Sequence, residues 1–339
     1  MKYAEEGFMK KSSLCLTLLG FFLAFVSGPM REAEGKTYFA YISDSPSSSV
    51  VYWVAKEAGI FAKHGLDTEL IFINGSTRGI QSLISGDVRF TSGVGTAAIN
   101  GKLAGGDITI INSLTNTLPY YIFGKPEIKS PEDLKGRSAA MHIPGTAADF
   151  ALRLALKGVG LSLKDVKGVT VGGGPARVAA VMSGQLDFTV GPEGEKIRGE
   201  RGGLKVIIDM AKLNIPFQFT CTVVTRKMIR ENPDMTRSVV RALAEAVHYF
   251  KSNKEGTIGI MQKYTRGQSR EFLAEVWGAQ KELLVEDTYP TLEGLKNTLE
   301  IQASLDPKAA KAKAEDFVDL RFVDELRKSG FIDQLYGRR

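Results

Sequence analysis

The sequence predicts an α/β fold of two similar lobes, each a mainly parallel sheet flanked by helices. Three observations predict it. Short apolar runs alternate with helix-length amphipathic stretches over most of the chain. A segment recurs at a spacing of 98 residues. The composition, 339 residues with 43% hydrophobic and 24% charged, is globular and long enough for two ordinary domains. The 36 Gly and 12 Pro show no three-residue period and therefore punctuate many short elements.

In order, Thr37 to Ile42 reads as a strand, Ser43 to Ser49 as a Ser-rich turn, and Val50 to Ala58 as an apolar-periodic helix. Leu66 to Ile73 is the next strand, then Gly75-Ser76-Thr77 opens a helix to Ser85. Val88 to Ser92 (strand), Thr96 to Leu103 (helix) and Ile108 to Leu114 (strand) complete the first series. The second series has strands at Arg137 to Met141, Gly168 to Val171, Phe188 to Val190 and Lys205 to Ile208, with helices opened by Gly145-Thr146 and spanning Ala176 to Ser183. After Pro216, Gln218 to Thr225 reads as a return strand. Pro233 to Phe250 is a helix with Val239, Val240, Leu243, Ala246, Val247 and Phe250 on one stripe. These readings place one lobe in residues 36–119 plus 217–339 and the other in 120–216, with hinge crossings near Leu118 to Tyr121 and Leu213 to Phe217.

Residues 1–35 read as a secretory signal with an uncertain cleavage point, after Gly28 or after Gly35. Lys10 and Lys11 precede the apolar run Leu14 to Val26, and no charge occurs from Ser12 to Met30. Met9 makes a more ordinary start than Met1, and an uncut anchor is the alternative. Cys15 precedes the place a lipid-modified cysteine would occupy, so the exported part carries one thiol, Cys221.

The repeat runs Ser85-Gly86-Asp87-Val88-Arg89-Phe90-Thr91-Ser92-Gly93 and Ser183-Gly184-Gln185-Leu186-Asp187-Phe188-Thr189-Val190-Gly191, with Gly75 falling on Gly173 at the same offset. Two lobes so related would each aim helix N-termini into a shared cleft, because open parallel sheets bind ligands beyond the C-terminal ends of their strands. The turns that should lie there are rich in Ser, Thr and Gly: Ser47 and Ser48, Ser76 and Thr77, Gly95 and Thr96, Gly145 and Thr146, and Gly173. Free N–H groups at helix starts favour anions, and glycine lets a ligand approach the backbone. Each turn taken singly also suits a plain helix cap. Arg78, Arg177 and Glu193 are the charged candidates beside them, and Glu193 could meet a ligand amine or cap its helix.

Three His and two Cys cannot build a zinc or iron–sulfur cluster, so no metal and no cofactor are expected. His64, His142 and His248 have no partner spaced for a relay, and of the three only His142 stands beside a candidate turn. Gly172-Gly173-Gly174 lacks the Lys-Ser/Thr ending of a phosphate loop. Trp53, Tyr120, Tyr121, Phe217 and Phe219 could stack on a planar ligand or fill cores. The net charge of +6 is spread along the chain, which argues against nucleic acid and for a basic surface that favours small anions.

The stretch Tyr52-Trp53-Val54-Ala55-Lys56-Glu57-Ala58-Gly59-Ile60-Phe61-Ala62-Lys63-His64-Gly65-Leu66 resembles the opening helix of substrate-binding proteins of the nitrate, sulfonate, taurine and thiamine-precursor group of ABC importers. Gly75 to Gly93, Ser130-Pro131-Glu132-Asp133-Leu134-Lys135-Gly136 and Pro144-Gly145-Thr146 continue the likeness, which spans roughly Lys36 to Tyr264. The resemblance implies a type II periplasmic-binding fold, a monomer in the periplasm that closes on a small, anionic solute and hands it to a permease with its ATPase. Helices beyond Tyr264 would complete the first lobe. A ligand-sensing module that signals to a membrane partner is the alternative. A further likeness, to the yeast-type enzyme that makes the thiamine pyrimidine, lacks that enzyme's cysteine-rich iron-binding segment, so no catalytic residue is assigned.

Overall fold

In the computed structural model the described residues are 36–338 without 145, 214, 304 and 305. The leader read over 1–35, Cys15 with it, and Gly145 therefore lie outside the described residues. In chain order the elements are β1 (Thr37–Tyr41), α1 (Pro46–Glu57), α2 (Ile60–Lys63), β2 (Thr68–Phe72), α3 (Ser76–Ser85), β3 (Phe90–Val94), α4 (Gly95–Leu103), β4 (Ile108–Thr117) and β5 (Tyr120–Gly124). Then come β6 (Ser138–Met141), α5 (Ala147–Gly158), β7 (Lys167–Thr170), α6 (Gly174–Met182), β8 (Phe188–Pro192), α7 (Glu193–Arg201), β9 (Lys205–Asp209) and β10 (Pro216–Thr225). The remainder is helical: α8 (Arg226–Glu231), α9 (Pro233–Ser252), α10 (Lys254–Tyr264), α11 (Arg270–Lys281), α12 (Leu292–Ala303), α13 (Arg321–Lys328) and α14 (Phe331–Tyr336).

Two five-stranded sheets share one topology, in the orders β2-β1-β3-β10-β4 and β7-β6-β8-β5-β9. β1 is parallel to β2 and β3, as β6 is to β7 and β8. β10 is antiparallel to both β3 and β4, and β5 to both β8 and β9. Four strands of each sheet thus run one way, and the reversed fifth is the strand on which the chain arrives from the other sheet. The 98-residue repeat falls on equivalent parts: β3 and β8 hold the same place, and Gly86 and Gly184 precede them at φ 88° and 79°, a left-handed conformation glycine adopts without strain.

Two elements differ from the sequence reading. β5 was expected as part of a crossing, yet it is a strand paired on both sides. Its Tyr-Tyr-Ile-Phe-Gly run is buried on both faces except at Tyr121, so it carries no polar alternation to announce a strand. Helix α1 starts at Pro46, whose fixed φ suits the first helical position, so Ser47, Ser48 and Ser49 form its first turn and do not precede it.

The core follows the apolar periods. The stripe on α9 is at most 1% exposed at Val239, Val240, Leu243, Ala246, Val247 and Phe250, and each of the Val, Leu and Phe side chains stabilises the fold by about 1.5–3 kcal/mol. β3 is buried throughout. One apolar cluster runs from Val94, Phe219 and Cys221 in the first sheet to Tyr120, Ile122 and Phe150 beside the second, with Tyr120 edge-on to Phe219 at 5.7 Å. Away from that seam α7 packs on α11: Ile197 joins Phe272, Leu273 and Val276, and Arg201 pairs with Glu275 at 2.6 Å. Among the described residues no helix is long and apolar enough to cross a membrane.

Candidate functional site

The strands that point their C-terminal ends toward helix starts are β1, β2 and β3 in one sheet and β6, β7 and β8 in the other. After β1, the backbone N–H of Ile42 donates to the Ser92 hydroxyl at 3.1 Å, which ties the ends of β1 and β3 together. Ser45 caps α1 by position, and its hydroxyl lies 2.8 Å from that of Ser47. Ser47 and Ser48 are half-buried there. At the start of α3, Gly75 has φ 95° and donates its N–H to Ile42 O at 2.9 Å, leaving Ser76 half-buried and Thr77 exposed.

Gly95 and Thr96 open α4. A Cβ on Gly95 would stand 2.7 Å from both Cβ and O of Gln218, so this glycine lets α4 lie against β10. Thr96 is fully buried, and its hydroxyl has no hydrogen-bond partner among the described residues. In the second sheet, Thr146 is the N-cap of α5: its hydroxyl accepts from Asp149 N at 3.4 Å and donates to Ile143 O at 2.8 Å. Gly173 caps α6 at φ −57°, with open space where a Cβ would be.

The charged candidates separate. Arg78 is exposed on α3. Arg177 is only 1% exposed: its Nη1 donates to Gly172 O at 2.6 Å, and its Nη2 donates to Val190 O at 3.1 Å and to Glu195 Oε2 at 2.9 Å. Glu193 pairs with Lys196 at 3.1 Å, and burial and then the Glu193 carboxylate push the Tyr121 hydroxyl well above the usual phenol range. The carboxylate at the junction of β7, β8 and α6 is Glu195, two residues further on, a position the sequence reading did not single out. Gly-Pro-Glu-Gly-Glu offers two carboxylates in one helical turn, and spacing alone does not choose between them. Desolvation raises the pKa of Glu195, Arg177 and Arg198 pull it back, and Asp44, at the end of β1 in the other sheet, raises it again.

His142 is half-buried and accepts from Ile143 N through Nδ1 at 2.8 Å; burial and then Arg177 lower its pKa, which keeps the ring neutral near pH 7. Of the aromatic candidates, Trp53 stacks on Tyr264 at 4.7 Å, and Tyr120, Phe217 and Phe219 are at most 7% exposed, so these four fill core. Only Tyr121 keeps an open flank, with the Lys196 ammonium 5.1 Å from its ring centre. His64 pairs with Glu245 at 2.9 Å and His248 lies edge-on to Tyr336, both in packing roles. Cys221 is fully buried with its thiol pKa pushed up by burial, which makes it unreactive. No group of three or more His, Cys, Asp or Glu among the described residues could hold a metal ion.

The paired sheets, each with one reversed strand and helix starts at its strand ends, are the architecture of periplasmic binding proteins. The periplasmic aliphatic sulphonate binding protein SsuA of Escherichia coli superposes with a TM-score of 0.70 at 17% identity, over 84% of this chain and 97% of that one. A protein from Bordetella bronchiseptica RB50 gives 0.74 at 19% identity over 90% and 99%. A binding protein of Brucella abortus (strain 2308) is 27% identical over 238 residues, covering 67% of this chain and 70% of that protein. The chain belongs to the NMT1/THI5-like family, whose model matches residues 47–256.

Proposed function

We propose that this protein is the extracytoplasmic solute-binding component of an ABC importer, that it binds a small polar organic solute between lobes 36–119 plus 217–339 and 120–216, and that it acts without catalysis. The observation that carries the reading is the pair of sheets of one topology, each ending its parallel strands in glycine- and hydroxyl-rich helix starts. Ser47, Ser48, Ser76, Thr77, Gly95, Thr96, Gly145, Thr146, Gly173 and Glu193 stand in the turns proposed to line that cleft. Among them the half-buried Ser47, Ser48 and Ser76 and the uncovered Gly173 are the best placed to touch the solute, whereas Thr146 already serves as a cap. Closure follows when the solute binds the closed form better than the open one. The export leader read over residues 1–35 and the periplasmic setting named for the Escherichia coli relative support the location. A permease and its ATPase are the proposed partners, and the binding protein itself acts as a monomer.

Melting curves against sulfonates, nitrate, carboxylates, amines and pyrimidines test this, because a solute that binds only the folded form raises Tm. At least one class should raise Tm saturably. Gly173→Phe should abolish that rise while leaving the unliganded Tm nearly unchanged, since φ −57° suits any residue and the Cβ position is open. A rise that survives Gly173→Phe places the solute elsewhere.

A further inference from the structure

The first turn of α6 is the position in the second sheet where an incoming anion would be expected, and a side chain of the protein itself already sits there. A Cβ added to Gly174 would fall 1.5 Å from Glu195 Oε1, and one added to Gly191 would fall 2.2 Å from Glu195 Oε2. The two absent side chains therefore form a seat in which the carboxylate rests against the N-terminal turn of a nine-residue helix. Arg177 closes the seat. It is 1% exposed, and its guanidinium is held by two backbone carbonyls and by this carboxylate, with Nε alone unpartnered among the described residues. Its donors and charge are thus taken up by the protein's own carbonyls and carboxylate. Arg198, one turn along α7, adds a second positive charge that favours the ionised carboxylate. Glu195 keeps 19% of its side chain exposed, and Asp44, exposed in the turn after β1 and in no ion pair among the described residues, adds a like charge to its surroundings.

We propose that Glu195 is a built-in occupant of the second lobe's anion seat, and that the cleft therefore selects solutes presenting neutral or cationic N–H donors at that end over sulfonates and other anions. This rests on the solute-binding reading above and reverses the charge that the turns alone imply. The glycines and Arg177 are then positioning residues for a carboxylate that acts as a specificity determinant.

The test compares wild type, Glu195→Ala and Glu195→Gln in melting experiments with sodium acetate, sodium sulfate and methanesulfonate, each against matched sodium chloride to remove simple screening. Wild type should show no saturable rise with any of them. Glu195→Ala, which empties the seat and leaves Arg177 uncompensated, should melt lower and be rescued saturably by acetate and sulfate. Glu195→Gln keeps the shape, loses the charge and should show a weaker sulfate response; it decides the matter if the alanine variant does not fold. Saturable sulfonate or sulfate binding by wild type overturns the proposal while leaving the solute-binding reading intact. Absence of anion rescue in both variants also overturns it. If no solute of any class stabilises wild type, the solute-binding reading fails, and the acetate rescue, which needs no solute, still decides on the seat.

Discussion

At Asp187 a single carboxylate joins three strands of the second sheet. Ser138 donates to Oδ2 through both its backbone N–H (2.8 Å) and its hydroxyl (2.7 Å), and Lys125 donates to Oδ1 at 2.9 Å. Burial opposes ionisation, but the Lys125 and Ser138 hydrogen bonds outweigh it and hold the group at about 2. Because the folded pKa lies below the ordinary carboxylate value near 4, the stabilisation is fully present above that value and is lost as pH falls from about 4 through about 2. Asp187→Asn should therefore cost about 2 kcal/mol at neutral pH and flatten the acid limb of the stability profile, measured by urea unfolding at several pH values. An unchanged acid limb would show that the carboxylate is not ionised by these partners. Gly95 makes a second prediction at this scale. With Gln218 backbone and Cβ 2.7 Å from where its Cβ would stand, Gly95→Ala should destabilise by about 2 kcal/mol through overpacking, seen as a Tm several degrees lower. A neutral result would mean that α4 slides freely on β10.

Among elements, α7 packs in two directions. One side of it carries Glu195 toward Arg177, and the other sets Gly194 and Ile197 against Phe272 and Val276 of α11, with Arg201 over the Phe272 ring and paired with Glu275. Both members of that ion pair are about half exposed, so it contributes about 1 kcal/mol at most. Arg201→Glu should shift the protein toward a more open form, with a larger radius of gyration in solution scattering and weaker solute binding. Adding Glu275→Arg should reverse both changes, and equal radii in all three proteins would contradict this role. How these elements were legible follows from their surroundings. Strands with a switch between polar and apolar neighbours, and helices such as α9 with one apolar stripe, declare themselves in sequence. β5 does not, because a strand buried on both sides loses the alternation that marks it. The repeat located β3 and β8 and the turn at Gly173. It could not choose Glu195 over Glu193, since the choice depends on Gly174 and Gly191, which are brought together only by the fold. Turns rich in Ser, Thr and Gly were read as ligand contacts, yet the Thr146 hydroxyl caps α5 and Gly95 packs on Gln218, because the same residue types serve helix capping and close packing.

For the whole molecule, two sheets of one topology are joined by two crossings, β4 to β5 and β9 to β10, and the strand that enters each sheet pairs on both sides with its neighbours. Under the proposed two-lobed reading, bending at Leu118–Pro119 and before Pro216 opens the gap while both sheets stay intact; at that crossing the Tyr120 ring packs edge-on against Phe219. Hydrogen exchange with and without the solute that gives the largest rise in Tm distinguishes binding between the two halves from binding elsewhere. Slowed amides are expected after β1 (residues 43–49), at the start of α3, and at 172–177 and 191–195, on both halves together. Protection confined to one half, or placed on the outer helices α13 and α14, would contradict it.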